Sequence, residues 1–435
     1  MRKILLVNPP SPFLIDERVF PNLGLLNFAT TLLSRGQDVE VLDLAGSHSP
    51  KEELLKKIDG KDIIGFSSTT PQFSQVYPLA RAVKQADPSK YLLLGGAHAS
   101  AMLSLRGTNP EAFNADPNRN SLDLFDTVFS GEAETLDLRA MPRGFVQGEI
   151  LSSLDETPIA DRGLYDILTY RYTIDGKKAT TVMTQRGCPF KCKFCSGRQI
   201  DMYRKTRSLS PNRIVEELDY LNGEFGFEAF MWFDDELNIN SERLKKLAGS
   251  MKQRSYIGRG FVRSDLLVRN PATLDYLSDM GFVELCSGVE SGSDKILGNI
   301  GKGTTSEINT LARKLIEERG MRYKAFTILG HPGETREDVQ QTRQWIERNS
   351  PDSFDIGILQ PYPGSIIYDN AIPSRKFPGF DWEYNGLYFR KPDYSSEETF
   401  YKGRAGEYKC NVRTDSLSPE EIVQFREEIE KSLRK

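Results

Sequence analysis

The run Ala179-Thr180-Thr181-Val182-Met183-Thr184-Gln185-Arg186-Gly187-Cys188-Pro189-Phe190-Lys191-Cys192-Lys193-Phe194-Cys195 decides the fold. Its β-branched opening reads as a short buried strand, and a thiol-rich loop follows at once. Downstream, strand patterns recur near 229–233, 257–262, 282–287, 323–328 and 354–359, with helical spacing between them at 214–222, 241–254, 271–280, 306–319 and 337–348. Six strand–helix steps in series predict a parallel (β/α)6 partial barrel spanning 179–361, with its site at the strand carboxyl ends. The cysteine loop leaves the first of those ends, so its three thiols project into the barrel mouth.

Upstream, residues 1–140 alternate apolar runs at 4–7, 39–42, 63–66, 91–94 and 127–129 with helix-like segments at 23–34, 51–58 and 76–86. That pattern predicts a second α/β unit, a doubly wound Rossmann-like sheet whose ligand sits at the strand carboxyl ends. Those ends carry Asn8-Pro9-Pro10, Ser67-Ser68-Thr69-Thr70, Gly95-Gly96 and Gly131-Glu132, small or polar residues suited to close approach by a large ligand. The polar stretch 106–123 reads as an irregular insertion. Residues 141–178 read as a linker with one short helix near 165–170. Beyond 361 the pattern weakens, so 362–435 is expected to be a small α/irregular region closed by an amphipathic helix at 419–433. Its aromatics Phe377, Phe380, Trp382, Tyr384, Tyr388, Phe389 and Tyr394 read as core over the barrel, with the lining of a substrate pocket as the alternative.

The chain of 435 residues is 38% hydrophobic and 27% charged, the balance of a water-soluble globular protein. No apolar run approaches the roughly 20 residues of a membrane span, and the opening apolar run, stopped by prolines, reads as a buried strand rather than a signal peptide. A cytoplasmic protein is expected. A net charge of −4, from 57 basic and 61 acidic residues, gives no basic stripe for nucleic acid.

Five cysteines, three of them within eight residues, do not form a secreted disulfide framework. Clustered thiols point to metal. Three are one short of the four that fill a cubane iron–sulfur cluster, leaving an iron able to chelate the amino and carboxylate groups of a methionine moiety. A zinc site is the alternative; it would take a fourth ligand from Cys286 or Cys410. Cys286, inside a strand, reads as a small buried hydrophobe.

On Cys188, Cys192 and Cys195, with Phe194 as the aromatic before the last cysteine, the chain resembles the radical S-adenosylmethionine superfamily. Later strand ends resemble that family's cofactor positions in order: Phe233-Asp234-Asp235-Glu236, Arg263-Ser264-Asp265, Gly288-Val289-Glu290-Ser291-Gly292-Ser293 and Gly330-His331-Pro332-Gly333-Glu334-Thr335. The resemblance implies a [4Fe-4S] cluster on the three cysteines. It also implies S-adenosylmethionine contacts from Phe194, Asp234 or Glu236, Arg263, Glu290, Ser291, Pro332 and Gly333.

With its doubly wound first domain, the chain is similar to the cobalamin-binding branch. This implies corrinoid contacts from Asn8, Pro9, Pro10, Ser67, Ser68, Thr69, Gln72, Gly95, Gly96, His98, Gly131 and Glu132. No Asp-x-His-x-x-Gly motif is present among the three histidines, so no such histidine reaches cobalt; a non-ligating side chain would occupy the lower face, and Gln72, just past the third strand, is one candidate for it.

The resemblance implies a cobalamin-dependent radical methyltransferase: one S-adenosylmethionine methylates the corrinoid, and a second is cleaved to a 5′-deoxyadenosyl radical that activates the substrate. Oxidative cyclisation or rearrangement with the same cofactors is the alternative, and a non-catalytic iron–sulfur carrier or sensor is the alternative of another class. A corrinoid-free radical enzyme is a further option; a methylthiotransferase is disfavoured because residues 1–187 hold no cysteine. The implied partners are a small-molecule, lipid, tetrapyrrole or peptide substrate and an external one-electron reductant of flavodoxin or ferredoxin type. No catalytic residue is assigned.

Overall fold

A computed structural model of the chain describes residues 2–397 and 408–433. The rest of the aromatic-rich stretch, 398–407, lies outside the described residues.

The first sheet has six parallel strands: β1 (Lys3–Asn8), β2 (Asp38–Asp43), β3 (Ile63–Ser67), β4 (Tyr91–Gly95), β5 (Thr127–Ser130) and β6 (Gly144–Gln147), in the order β2-β1-β3-β4-β5-β6. Strands β1, β3 and β4 are runs of Ile, Leu, Val and Phe with almost every side chain buried, as a sheet covered on both faces requires. Helices at Leu23–Ser34, Phe73–Ala86 and Ala97–Thr108 supply the cover. Asn22 starts the first by accepting a hydrogen bond from the Leu25 amide. The strand order reverses between β1 and β3, and a ligand crevice opens at such a switch point.

Two differences from expectation stand out here. The sixth strand lies in the stretch read as a linker. Residues 106–123, read as irregular, are largely helical: the end of Ala97–Thr108, then Pro110–Asn114 and a 3-10 turn at Asn120–Leu124.

In the second unit, β7 (Thr173–Ile174) turns back antiparallel onto β8 (Lys177–Val182), and β9 (Gln185–Arg186) pairs antiparallel with β10 (Arg207–Ser208). That small ribbon brackets the cysteine loop. Strands β11 (Ala229–Trp232), β12 (Ile257–Val262), β13 (Phe282–Glu290), β14 (Arg322–Leu329) and β15 (Ser353–Ile358) continue in parallel from β8, in the order β15-β14-β13-β12-β11-β8-β7. With β15 and β7 at opposite edges, the barrel is open. Intervening helices cover its outside; one, Arg336–Asn349, begins with a capping box between Thr335 and Asp338.

The C-terminal region contains a four-stranded antiparallel sheet, β16 (Ile372–Pro373), β17 (Trp382–Tyr384), β18 (Leu387–Phe389) and β19 (Val412–Thr414), before the final helix Pro419–Leu433. A region expected to be helical and irregular therefore holds a sheet, whose strands of two or three residues are too short to show alternation. Phe389 and Tyr394 are fully buried and Tyr388 nearly so; Phe377, Phe380, Trp382 and Tyr384 are partly exposed. No helix among the described residues is long and apolar enough to cross a membrane.

Candidate functional site

The cysteine loop is held from several sides. Gly187, at φ +89°, admits no side chain, because a Cβ would stand 2.2 Å from the Lys205 carbonyl oxygen. Its amide donates to Asp235 (2.6 Å), and the Cys188 amide donates to the Tyr203 carbonyl (2.7 Å). On the far side, the Lys193 amide reaches the Ile300 carbonyl (2.8 Å), and the Gln199 amide reaches that of Gly364 (3.0 Å). Phe194 packs against Ile296, Ile300 and the His331 ring.

Burial pushes the Cys188 thiol up to about 11 and raises Cys195 as well. Cations face them. Arg263 Nη1 donates to Cys192 Sγ at 3.8 Å, its guanidinium stacks on Phe190 at 3.7 Å, and its Nη2 donates to the Lys302 carbonyl (2.6 Å). Lys302 Nζ pairs with Glu290 (2.7 Å), and a Cβ on Gly288 would lie 2.8 Å from that nitrogen. Burial lifts Glu236 to about 8, against the pull of Arg263 and Lys302. Three thiols thus lie beside a buried arginine, a largely covered lysine and two carboxyls.

Other sequence-predicted contacts are engaged elsewhere. Asp234 is fully buried and accepts from the Thr184 amide (2.5 Å), the Thr184 hydroxyl (2.6 Å) and the Gln185 amide (2.9 Å). It shapes the strand end rather than facing a ligand. Ser291 is also buried, its hydroxyl meeting Thr342 (3.1 Å) and the Ser293 amide (3.1 Å), so it anchors a helix. Pro332 and Gly333 form the turn after β14, where the Pro332 carbonyl accepts from Asn299 (3.2 Å).

Between the two sheets lies a cavity of about 250 Å³. Of the twelve predicted corrinoid contacts, Ser67, Gly95, Gly96, Gly131 and Glu132 line it. Its opposite wall comes from the ribbon, Arg186 and Arg207, with Met183 before it, Tyr203 between its strands and Asp235 after β11. Thr69 lines a neighbouring cavity of about 180 Å³, which Tyr203 also borders.

The remaining predicted contacts line neither cavity. Asn8 bridges Asp43 (2.8 Å) and Asn22 (3.2 Å), and Pro9, Pro10 and Ser68 are buried. Gln72 is held by Thr69 and by Ser11 (2.7 Å). His98 stacks on Phe73 at 4.2 Å, and only Thr70 meets its ring nitrogens. Asn8, Pro9, Pro10 and Ser68 lie at or just past strand ends, as expected, whereas Gln72 stands at the N-cap of the helix Phe73–Ala86 and His98 lies in the helix Ala97–Thr108; sequence reasoning could not tell which side chains turn inward. It missed Lys302, Arg186, Arg207 and Tyr203; the glycines flanking Lys302, both at positive φ, were the available signal for the first.

His98 carries a testable consequence. Burial lowers it to about 3, so the folded chain keeps it neutral while the unfolded chain protonates it below about 6.5. The contribution is complete above pH 6.5 and is lost as pH falls toward 3. Between pH 7.5 and 5.5 the first domain is expected to lose about 1.4 kcal/mol. Urea unfolding of His98→Phe, which preserves the stack on Phe73, should show that much less pH dependence.

Residues 17–112 match the family model for the B12 binding domain, and residues 182–346 match that for the radical SAM superfamily. The chain belongs to the B12-binding branch of the radical SAM superfamily. This enzyme is 29% identical over 397 residues to an uncharacterized methyltransferase of Pyrococcus horikoshii, covering 87% of this chain and 85% of the relative. It is 24% identical over 388 residues to the anaerobic magnesium-protoporphyrin IX monomethyl ester cyclase of Rubrivivax gelatinosus, covering 82% and 67%. In fold it resembles the radical S-adenosylmethionine methyltransferase TsrM of Kitasatospora setae with cobalamin and [4Fe-4S] cluster bound (TM-score 0.62, 15% identity, 87% of this chain and 77% of that one).

The enzyme's cofactors are a [4Fe-4S] cluster, S-adenosylmethionine and cobalamin, and the residues present fit them. Among the described residues, no three His, Cys, Asp or Glu side chains converge tightly enough to hold a single metal ion. Cys286 is buried on β13 beside Glu284, and the Cys410 thiol meets the Val412 carbonyl (3.1 Å), so neither supplies the fourth zinc ligand. Three unshared thiols suit a polynuclear cluster with a vacant corner. For the corrinoid, the floor is glycine: Gly65, Gly95, Gly96 and Gly131 line it, and a Cβ on Gly95 would meet no protein atom within 4 Å, so the bare backbone there is open to a close-lying ligand. Among the described residues, no histidine lines that cavity.

Proposed function

We propose that the protein is a cobalamin-dependent radical methyltransferase, with Cys188, Cys192 and Cys195 as the cluster ligands. The observation that carries this reading is the cavity whose floor is the glycine-lined edge of the first sheet and whose opposite wall holds Arg186 and Arg207 of the ribbon that brackets the cysteine loop. When bound, the cluster supplies the electron that splits S-adenosylmethionine, and the corrinoid carries the methyl group to the activated substrate.

The chain's own part is binding and orientation. Arg263 and Lys302 offset the negative charge of three thiolates and stand ready for the cosubstrate's carboxylate. Glu236, between those cations, accepts a hydrogen bond from the cosubstrate's amine. Ser67, Gly95, Gly96 and Gly131 let the corrinoid approach the backbone, while Tyr203 stands on the wall toward the cysteine loop. Enclosure between the two sheets excludes water from the radical. An external one-electron reductant of flavodoxin or ferredoxin type completes the system.

The likeness to the cyclase supports a second reading, oxidative cyclisation with the same cofactors. Anaerobic reconstitution with iron, sulfide, cobalamin and reductant, followed by product analysis, separates the two. Methyl transfer yields S-adenosylhomocysteine together with 5′-deoxyadenosine; 5′-deoxyadenosine without S-adenosylhomocysteine overturns it in favour of cyclisation.

A further inference from the structure

We propose that the substrate is a flat conjugated or aromatic molecule, seated against an arc of aromatic rings in the upper layer of the half-barrel. This rests on the reading of the barrel mouth as the reaction chamber.

Tyr172, Phe20, Phe233, Phe261 and Phe326 form one continuous contact series. Successive ring centroids lie 4.8, 4.8, 5.9 and 5.9 Å apart, with interplanar angles from 44° to 78°. Four come from the barrel unit. Phe20 comes from the loop after β1 of the first sheet, where Arg18 fixes it by donating to Thr169 (2.5 Å).

None of the five rings is buried, and Phe20 is 37% exposed. The interior of a parallel barrel is ordinarily filled by branched aliphatic side chains in layers. Here the layer holds partly exposed rings, and the strand between Phe261 and Phe326 is small: Cys286 lies opposite Phe261, and Gly288 opposite Phe326. Rings that keep part of their surface accessible mark this layer as the wall of the proposed chamber rather than as closed core.

Its vertical limits are also defined. Above Gly288 stand Lys302 and Glu290 of the thiol cradle. Below, ion pairs close the bottom: Arg259 with Glu284 (2.6 Å) and Lys324 with Asp355 (2.7 Å). Those charges are balanced, so the chamber selects by shape and π-surface. Aromatic faces favour flat rings beyond simple apolar burial, whereas a flexible alkyl chain gains only the burial.

The test titrates holoenzyme, carrying cluster and cobalamin, with pyrene-1-carboxylate as the flat probe and dodecanoate as the flexible one, by calorimetry. Pyrene-1-carboxylate should bind at least tenfold more tightly. A Phe261→Leu/Phe326→Leu variant, which keeps apolar volume in the chamber, should bind it roughly tenfold more weakly, with dodecanoate affinity and cobalamin content unchanged. Phe20→Ala, on a half-exposed loop, should weaken it severalfold and guards against a folding defect in the double variant.

Equal affinity for dodecanoate, no saturable binding of pyrene-1-carboxylate, or unchanged affinity in the variants overturns the proposal. The product assay for methyl transfer is independent: its failure with arc-dependent probe binding intact would remove the methyltransferase reading and leave the chamber.

Discussion

Cys192→Ala holoenzyme is expected to retain cobalamin but lose radical chemistry, with iron falling from about four to below one per chain and 5′-deoxyadenosine formation dropping at least ~1,000-fold. The argument starts from the donor count. Among the described residues, the loop offers three thiols and nothing nearby replaces one: Cys286 sits buried on β13 and Cys410 in the C-terminal sheet region. Two thiolates cannot hold a cubane that already leaves one corner vacant.

Charge adds a second loss. Arg263 is buried and Lys302 largely covered near Cys192; Arg263 pairs with Asp265 and Lys302 with Glu290, and Glu236 lies within their field. Removing the thiolate leaves that cradle with excess positive charge in a low-dielectric site. The first sheet does not depend on the loop's thiols, so cobalamin binding should survive. Iron analysis and single-turnover product assays check both halves. Full iron content with unimpaired cleavage in Cys192→Ala would remove it from the ligand set.

Why these cysteines were readable while other site residues were not is a matter of range. Cys188, Cys192 and Cys195 are local in sequence, so their spacing alone brings three thiols to one loop. Lys302, Arg186 and Phe20 meet that loop or its chamber only through tertiary contacts, and each looks like an ordinary surface residue in the sequence.

The Asp234-Asp235-Glu236 run shows the limit from the other side. In an extended segment successive side chains point opposite ways, and the three carboxyls go to three places. Asp234 goes into the strand end, Asp235 to the Gly187 amide and Glu236 to the cations. The sequence announces carboxylates there but not which one faces the cosubstrate.

The same contrast holds for the fold. Helix Leu23–Ser34 was legible from its Asn22 cap and apolar spacing, and the half-barrel strands from their regular recurrence. Helix Ala97–Thr108 was not, because its small and apolar residues run nearly all round it and carry little periodicity. Strand β6 is a four-residue edge whose pairing with β5 depends on tertiary context.

Glu132→Ala is expected to be the most damaging substitution outside the thiols, because Glu132 joins the two units. It was singled out in the sequence as a corrinoid contact, and it does line the cavity, but its carboxylate is already taken. One oxygen pairs with Arg186 (3.0 Å), and the other pairs with Arg207 (2.6 Å) and accepts from the Leu151 amide (2.5 Å). Glu132 is 6% exposed, and both guanidiniums are largely covered. Breaking a buried pair by deleting one partner costs about 3–5 kcal/mol, since the remaining charge stays uncompensated.

Arg186 keeps Glu134 (2.7 Å), but Arg207 has no other carboxylate partner among the described residues. Because Arg186 and Arg207 lie on β9 and β10, the ribbon that brackets the cysteine loop, the damage should reach the cluster as well as the interface. Glu132→Ala should unfold at lower denaturant by an amount near 3 kcal/mol or more, and its cluster should be stripped faster by a chelator. Glu132→Gln, which keeps one acceptor oxygen, should fall between. By contrast, Glu40→Ala, which removes the exposed pairs to Lys57 and Lys61, should cost under about 1 kcal/mol. If Glu132→Ala behaves like Glu40→Ala, the ion pairs of Glu132 contribute little to joining the two units.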